Sequence, residues 1–403
     1  MTAPSTLSRR GALAAGGGLL ASLAAAGLSP DRVRPEMRLD STVPTGSWPG
    51  RKRDPRRTGY QPVPGPRTGA SVRWRFLTPR DPTASPGVVA TPEHVLAVRP
   101  SSTFALRPGD GSLAWETGHR ERDLLGDGTN EFVQSGPQLA AGHALTAADI
   151  SLYGLDTATG SGDWAYGTNS SFREVLAVGN TVFFGSLIGD ADRLVALSAE
   201  TGLPYWRTET VARPLAYAPD DGILVTARSP AGADNGVLQG RDARSGAVEW
   251  TTARLDLPLL DASAPAVGDG RVYVASGPVY AFDTGDGSKL WRAPYGTDAF
   301  RGPVTDGDRV YVTSEGGVAA FDAATGEERW TADVPVQGFA TPAIAADRLY
   351  VPVDDGVTAL VTADGSRAFR ATFPGGRPSG LAVADGRLYV RNERGVFALE
   401  GER

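Results

Sequence analysis

Three histidines, His94, His119 and His143, and no cysteine leave little of the usual equipment for zinc coordination or nucleophilic catalysis. The lack of cysteine also removes disulfides, thiolate ligands and a lipid-modified cysteine. The richest group of candidate ligands starts at His119, where Arg120, Glu121, Arg122 and Asp123 are followed by Asp127, Asn130 and Glu131. Such oxygen donors can hold calcium, but their spacing matches no EF-hand, and a solvated loop has the same composition. No metal ligand is assigned to them. His94 and His143 open apolar strand runs and read as decoration, while Arg213, Asp261 and Arg301 stand near the starts of other runs, where they could line a channel. No serine, histidine and aspartate set has a recognisable local signature, so no catalytic residue and no cofactor-binding residue is assigned.

The elements that would position any such site repeat along the chain. Seven of eight tryptophans, Trp74, Trp115, Trp164, Trp206, Trp250, Trp291 and Trp330, recur with Phe369 at a period of about 42 residues. From Trp115 onward a glycine stands four residues before each aromatic: Gly111, Gly160, Gly202, Gly246, Gly287, Gly326 and Gly365. Such a glycine supplies the positive-φ turn between two antiparallel strands. Four residues earlier again, Asp156, Asp242, Asp283 and Asp322 can accept hydrogen bonds from turn amides. The unit from Ala264 to Trp291 reads as a four-stranded meander whose first strand opens with a small residue and proline, as at Gly136-Pro137, Gly302-Pro303 and Thr341-Pro342.

One four-stranded sheet cannot bury both faces, so the units must pack on each other, with each tryptophan as a wedge. Burying about 200 Å² of each ring contributes up to about 5 kcal/mol. The last unit stops after three strands, and Ser71–Phe76 is a fourth strand without a unit. Joining them closes an all-β, eight-bladed propeller over residues 70–403. The turns between first and second strands and the glycine turns then share one face. The opposite face carries the blade connections and the long insertions at residues 118–132, 186–193 and 228–236, which makes it the candidate binding surface.

Residues 1–26 pair Arg9-Arg10 with an uncharged Ala/Gly/Leu stretch and the small-residue run Ala24-Ala25-Ala26, and resemble a twin-arginine signal peptide. Left uncleaved, that stretch would instead anchor the chain to a membrane. Cleavage moves the formal charge from −6 to −8, by loss of two arginines. This acidic balance argues against nucleic-acid binding. Residues 27–69 are rich in proline and arginine, lack strand periodicity and read as a solvated linker whose basic run, residues 51–57, could touch anionic lipid.

The pattern Ala320-Phe321-Asp322-Ala323-Ala324-Thr325-Gly326-Glu327-Glu328-Arg329-Trp330, repeated in register, resembles the tryptophan-docking motif of propellers with pyrroloquinoline-quinone (PQQ) repeats. The lead Trp48-Pro49, Asp54 and Arg57-Thr58-Gly59-Tyr60 resembles the segment preceding many exported members. The resemblance implies either a scaffold similar to the BamB subunit of the outer-membrane assembly machinery, without cofactor, or a dehydrogenase binding PQQ and calcium above the ring centre. The chain lacks the adjacent cysteines and long insertions of the dehydrogenases, and its signal lacks the lipidation cysteine expected of the scaffolds. The reading is an exported, monomeric, periplasmic or surface scaffold for a protein or cell-surface partner; a PQQ- or calcium-dependent oxidoreductase is the alternative.

Overall fold

The structure is a computed structural model that describes residues 33–79, 87–119, 136–148, 151–167, 174–185, 194–210, 212–228, 236–253, 264–275, 277–295, 301–314, 316–336 and 340–402. Eight antiparallel sheets form an eight-bladed propeller. Blades one to seven span residues 88–118, 138–167, 175–208, 213–251, 266–293, 301–332 and 343–372. In blade eight Gly380–Ala384, Arg387–Asn392 and Gly395–Gly401 are joined by Ala70–Leu77, which pairs antiparallel with Gly395–Gly401. The expected exchange of chain ends therefore closes the ring and hides both edges.

The inner strands converge so closely that a Cβ on Gly380 would lie 2.8 Å from the Cα of Gly87, and one on Gly87 3.2 Å from that of Gly136. Only small residues fit this approach between blades eight, one and two. The middle strands are buried along nearly all their length, for example residues 95–98 and Ser102–Leu106 in blade one.

The outermost strand does the fastening. In every blade its register slips by one residue immediately before the aromatic, a bulge that turns the ring toward the neighbouring blade. Opposite the aromatic stands alanine or glycine: Ala105, Gly154, Ala196, Gly240, Ala281, Ala320, Ala359 or Ala398. At Gly154 and Gly240 a Cβ would collide with the rings of Trp164 and Trp250. Each indole N–H donates to a carbonyl in the next blade, among them Trp115 to Thr157 (3.0 Å), Trp250 to Thr284 (2.8 Å) and Trp330 to Thr362 (3.0 Å). The aspartates close the turns, as when Asp156 Oδ1 accepts from the Ala158 and Thr159 amides at 3.1 and 2.8 Å. Bonds from Arg329 and Thr325 hold the Asp322 carboxyl down at about 2. Phe369 breaks the tryptophan series where it faces blade eight, whose third and fourth strands come from opposite chain ends and are joined by no glycine turn.

The lead segment differs from the solvated linker that its composition suggests. Residues 33–40 lie over blades three and four, where Arg38 and Asn180 exchange bonds through the Arg38 amide and carbonyl (2.7 and 3.2 Å). The chain then runs to the ring axis, and Pro66 and Arg67 leave over blade seven, accepting from Tyr350 Oη at 2.7 Å and Arg348 Nε at 3.0 Å. Tyr60–Gln61 is a two-residue strand parallel to Ala343–Ala345 and makes blade seven five-stranded. Local sequence carries no periodicity for this path because its partners are the inner strands of the ring.

The turn glycines separate two physical demands. Gly142 (φ +78°) has open space at its Cβ position, whereas a Cβ on Gly287 (φ +71°) would lie 2.5 Å from the Trp250 ring. Gly142→Ala is expected to cost about 1 kcal/mol from backbone strain, and Gly287→Ala about 3 kcal/mol or more because a docked indole must also move. Denaturant midpoints of the two variants check the difference; equal losses would mean that the indole contact does not fasten the blades.

Candidate functional site at the ring centre

The lead segment fills the axis of the ring. Main-chain bonds join Trp48 to Ala90 in both directions (2.6 and 3.0 Å), and the amides of Leu139, Tyr217, Val267, Thr305, Ile344 and Asp385 donate to Pro49, Pro55, Arg56, Thr58, Gly59 and Gly46. With blade three reached through Arg57, residues 46–59 bond to the inner region of all eight blades. The amides lie toward the ends of the inner strands, so this plug enters from the face of the first-to-second turns.

Lys52, Arg53 and Arg57 are buried, while Arg51 is partly exposed. Arg57 is fully buried; Nε donates to Leu215 O (3.2 Å), Nη1 to Arg51 O (2.9 Å), and Nη2 to Glu174 Oε1 (2.8 Å) and Val175 O (2.9 Å). Lys52 Nζ donates to the carbonyls of Ala264 and, at 2.8 Å, Pro303. Arg51 Nη1 reaches Glu174 Oε2 at 2.9 Å. Lys52, Arg53 and Arg57 all adopt left-handed backbone, at φ +53°, +71° and +61°. Non-glycine residues hold that conformation only where surrounding structure over-determines them, and these carbonyl bonds do so here.

Burial sets the electrostatics. It pushes the Lys52 ammonium well below its ordinary value, with Arg51 and Arg57 adding to the effect, and brings Arg57 down to about 10 against the pull of Glu174. Burial would also raise the Glu174 carboxyl, but Arg51, Arg57, Arg213 and Lys52 together outweigh it and hold the group below its ordinary value. Asp54 goes the other way: burial raises it despite bonds from Thr58.

Beyond the plug a cavity of about 90 Å³ opens at the starts of the inner strands, the end at which the blade connections arrive. Trp48, Arg51 and Lys52 bound it on the plug side, and residues 87–89, 136–138, 174–175, 341–342 and 379–381 supply the walls.

Of the residues singled out from sequence, Arg213 is buried and joins the cations around Glu174. Arg301 opens the inner strand of blade six, and Asp261 lies outside the described residues. His119 is buried against Tyr153 and 2.8 Å from Thr103 Oγ1, and burial drops it to about 4. The rest of its acidic loop, residues 120–132, lies outside the described residues, as do 186–193, 229–235 and the signal. His143 Nε2 sits 3.0 Å from Asp163, and His94 closes a turn with Thr91. Glu174 carries no signal in the sequence, and Lys52 is visible there only as part of the basic run 51–57.

A ring of tryptophan-docked, four-stranded blades with a filled centre defines a propeller of the PQQ-repeat class. The family model described as outer membrane protein assembly factor BamB matches residues 169–295 and 275–400, and the chain belongs to that family. BamB from Moraxella catarrhalis superposes with a TM-score of 0.64 at 22% identity, over 83% of this chain and 98% of that one. A europium-containing methanol dehydrogenase (TM-score 0.65, 13% identity, 86% and 89% coverage) and the quinohemoprotein alcohol dehydrogenase of Comamonas testosteroni (0.64, 14%, 96% and 85%) share the fold. No curated protein matches the chain by sequence.

Removing the acid from the buried cluster tests its role. Glu174→Gln is expected to cost about 3 kcal/mol in chemical denaturation, because Arg57 keeps its charge and loses its counter-ion. Since the Glu174 carboxyl is held below its ordinary 4.5, the stabilisation is present above that pH and lost as the pH falls beneath it. A variant as stable as the parent at pH 7 and pH 4 would make the pair incidental.

Proposed function

We propose that this chain is an exported, non-catalytic scaffold that engages a protein or cell-surface partner through the face bearing its blade connections. The observation that carries the reading is the plug: it occupies the ring axis and, with residues 33–40 and 62–69, lies along the opposite face. That leaves the connection face for a partner. Membership of the BamB family supports a partner-binding role, and the two dehydrogenases that share the fold supply the competing one.

The described residues at the ring centre do not fit a quinone with its calcium ion. The cavity of about 90 Å³ is small beside the roughly 300 Å³ or more of ordinary ligand pockets. Calcium takes about six to eight oxygens. The carboxylate in the cavity wall, Glu174, is already engaged by two guanidinium groups, and no cluster of three acids or histidines occurs among the described residues. Export rests on the twin-arginine signal and fits a protein that folds before crossing a membrane; cleavage before Gly27 releases a monomer.

Two experiments test the reading. Mature protein titrated with PQQ and calcium, followed by tryptophan fluorescence and a dye-linked alcohol or sugar oxidation assay, is expected to give neither saturable binding nor turnover. Micromolar binding with turnover would replace the scaffold by an oxidoreductase. Changing Arg9 and Arg10 together to lysine should leave the protein in the cytoplasmic fraction; undiminished export would remove the twin-arginine route.

A further inference from the structure

We propose that the cavity at the channel mouth is a binding site for a carboxylate group, held by Arg51 and Lys52 of the plug. The inference does not depend on a protein partner, since a free carboxylate would satisfy the same chemistry.

Charge is the first ground. Among the described residues Arg51, Lys52, Arg57 and Arg213 act on Glu174, and Asp54, which also acts on Lys52 and Arg57, is engaged with Thr58 and Arg53, so cations outnumber carboxylates around the cavity. Lys52, Arg57 and Arg213 are buried, and Arg51 stands at the cavity with its side chain 42% exposed; buried cations without full compensation are costly, and a bound anion supplies the missing compensation.

The second ground is the state of the groups. Both Glu174 oxygens are engaged, Oε1 by Arg57 and Oε2 by Arg51, and the described bonds of Arg57 run to Glu174 and three carbonyls. Arg51 and Lys52 differ from Arg57 in lining the cavity. Among the described residues Lys52 Nζ donates to Ala264 and Pro303, and Arg51 bonds Glu174 through Nη1 and no other atom. The fixed planar fork of a guanidinium matches a carboxylate, and an ammonium beside it adds a point charge. Size is the third ground: about 90 Å³ exceeds the needs of one water and is far below those of a drug-sized ligand, which suits a single small anionic group.

Burial lowers the Lys52 ammonium, so the arrival of an anion favours its protonated form, and binding should be visible at the lysine itself. The chain has two lysines, Lys52 and the exposed Lys289. Full-length mature protein labelled with ¹³Cε-lysine is titrated with sodium acetate at constant ionic strength against chloride. The Lys52 signal is expected to move saturably toward its protonated position while that of Lys289 stays still, and Arg51→Gln should weaken the response at least tenfold. A wild-type Lys52 signal that does not move, moves equally with chloride, or responds equally in a folded Arg51→Gln protein overturns the proposal.

Two further arms identify the source of the carboxylate. An acetylated, amidated aspartyl peptide that competes with acetate points to an acidic side chain of a macromolecule; acetate binding without such competition points to a free small carboxylate. Because the readout involves neither PQQ nor turnover, its failure is distinct from failure of the scaffold reading.

Discussion

The indole of Trp250 lies across Gly287 and gives its N–H to Thr284, and the same contact between one blade's last strand and the next blade's turn recurs around the ring. A four-stranded blade is too small to bury its own faces, so this contact decides whether the blades become one body. It places demands on several residues at once. The ring needs a bulge to aim it, alanine or glycine beneath it, a left-handed glycine against its far face and a free turn carbonyl at its edge. The aspartate of the same turn fixes the geometry in which that carbonyl is offered.

Those demands explain what could be read from sequence. The period of the tryptophans, the glycines four residues before them and the split final blade are written locally, in residue types that have few other uses, and they fix ring and blade count. The small residue at the head of the motif was visible as Ala320 or Gly154, but its reason, room for an indole, needed the register of the strands. The bulge left no signal, because the extra residue varies from Ala114 to Asp163 to Arg329.

The plug could not be read in the same way. Prolines, arginines and glycines without periodicity describe a tether as well as they describe residues 46–61, because the order here comes from partners more than a hundred positions away: Leu215 and Val175 for Arg57, Ala264 and Pro303 for Lys52, Val383 for Gln61. Composition even pointed the wrong way, since a cluster of basic residues is usually solvated. Buried arginine survives here because carbonyls and Glu174 meet its N–H groups. Arg213 is legible as a channel residue from its place near the start of an inner strand, whereas Trp48, Asp54 and Arg57 are legible only as a lead segment and not as part of a site.

Gln61 and its partner Val383 are separated by 322 positions, and the strand that completes blade eight is made before any of the blades. During synthesis the plug therefore gains its partners blade by blade, starting with Ala90 and Leu139, whereas the strand Ala70–Leu77 waits for Gly395–Gly401. Contacts of such long sequence separation carry a large loop-closure cost and make late steps slow. A chain halted before residue 395 offers Ala70–Leu77 no edge to join, and a ring lacking blade eight leaves Gln61 without Val383. Closing blade eight is thus a report of completeness, because Ala70–Leu77 finds its partner only in Gly395–Gly401, and the last plug bonds, Asp385 to Gly46 and Gln61 to Val383, come with that blade.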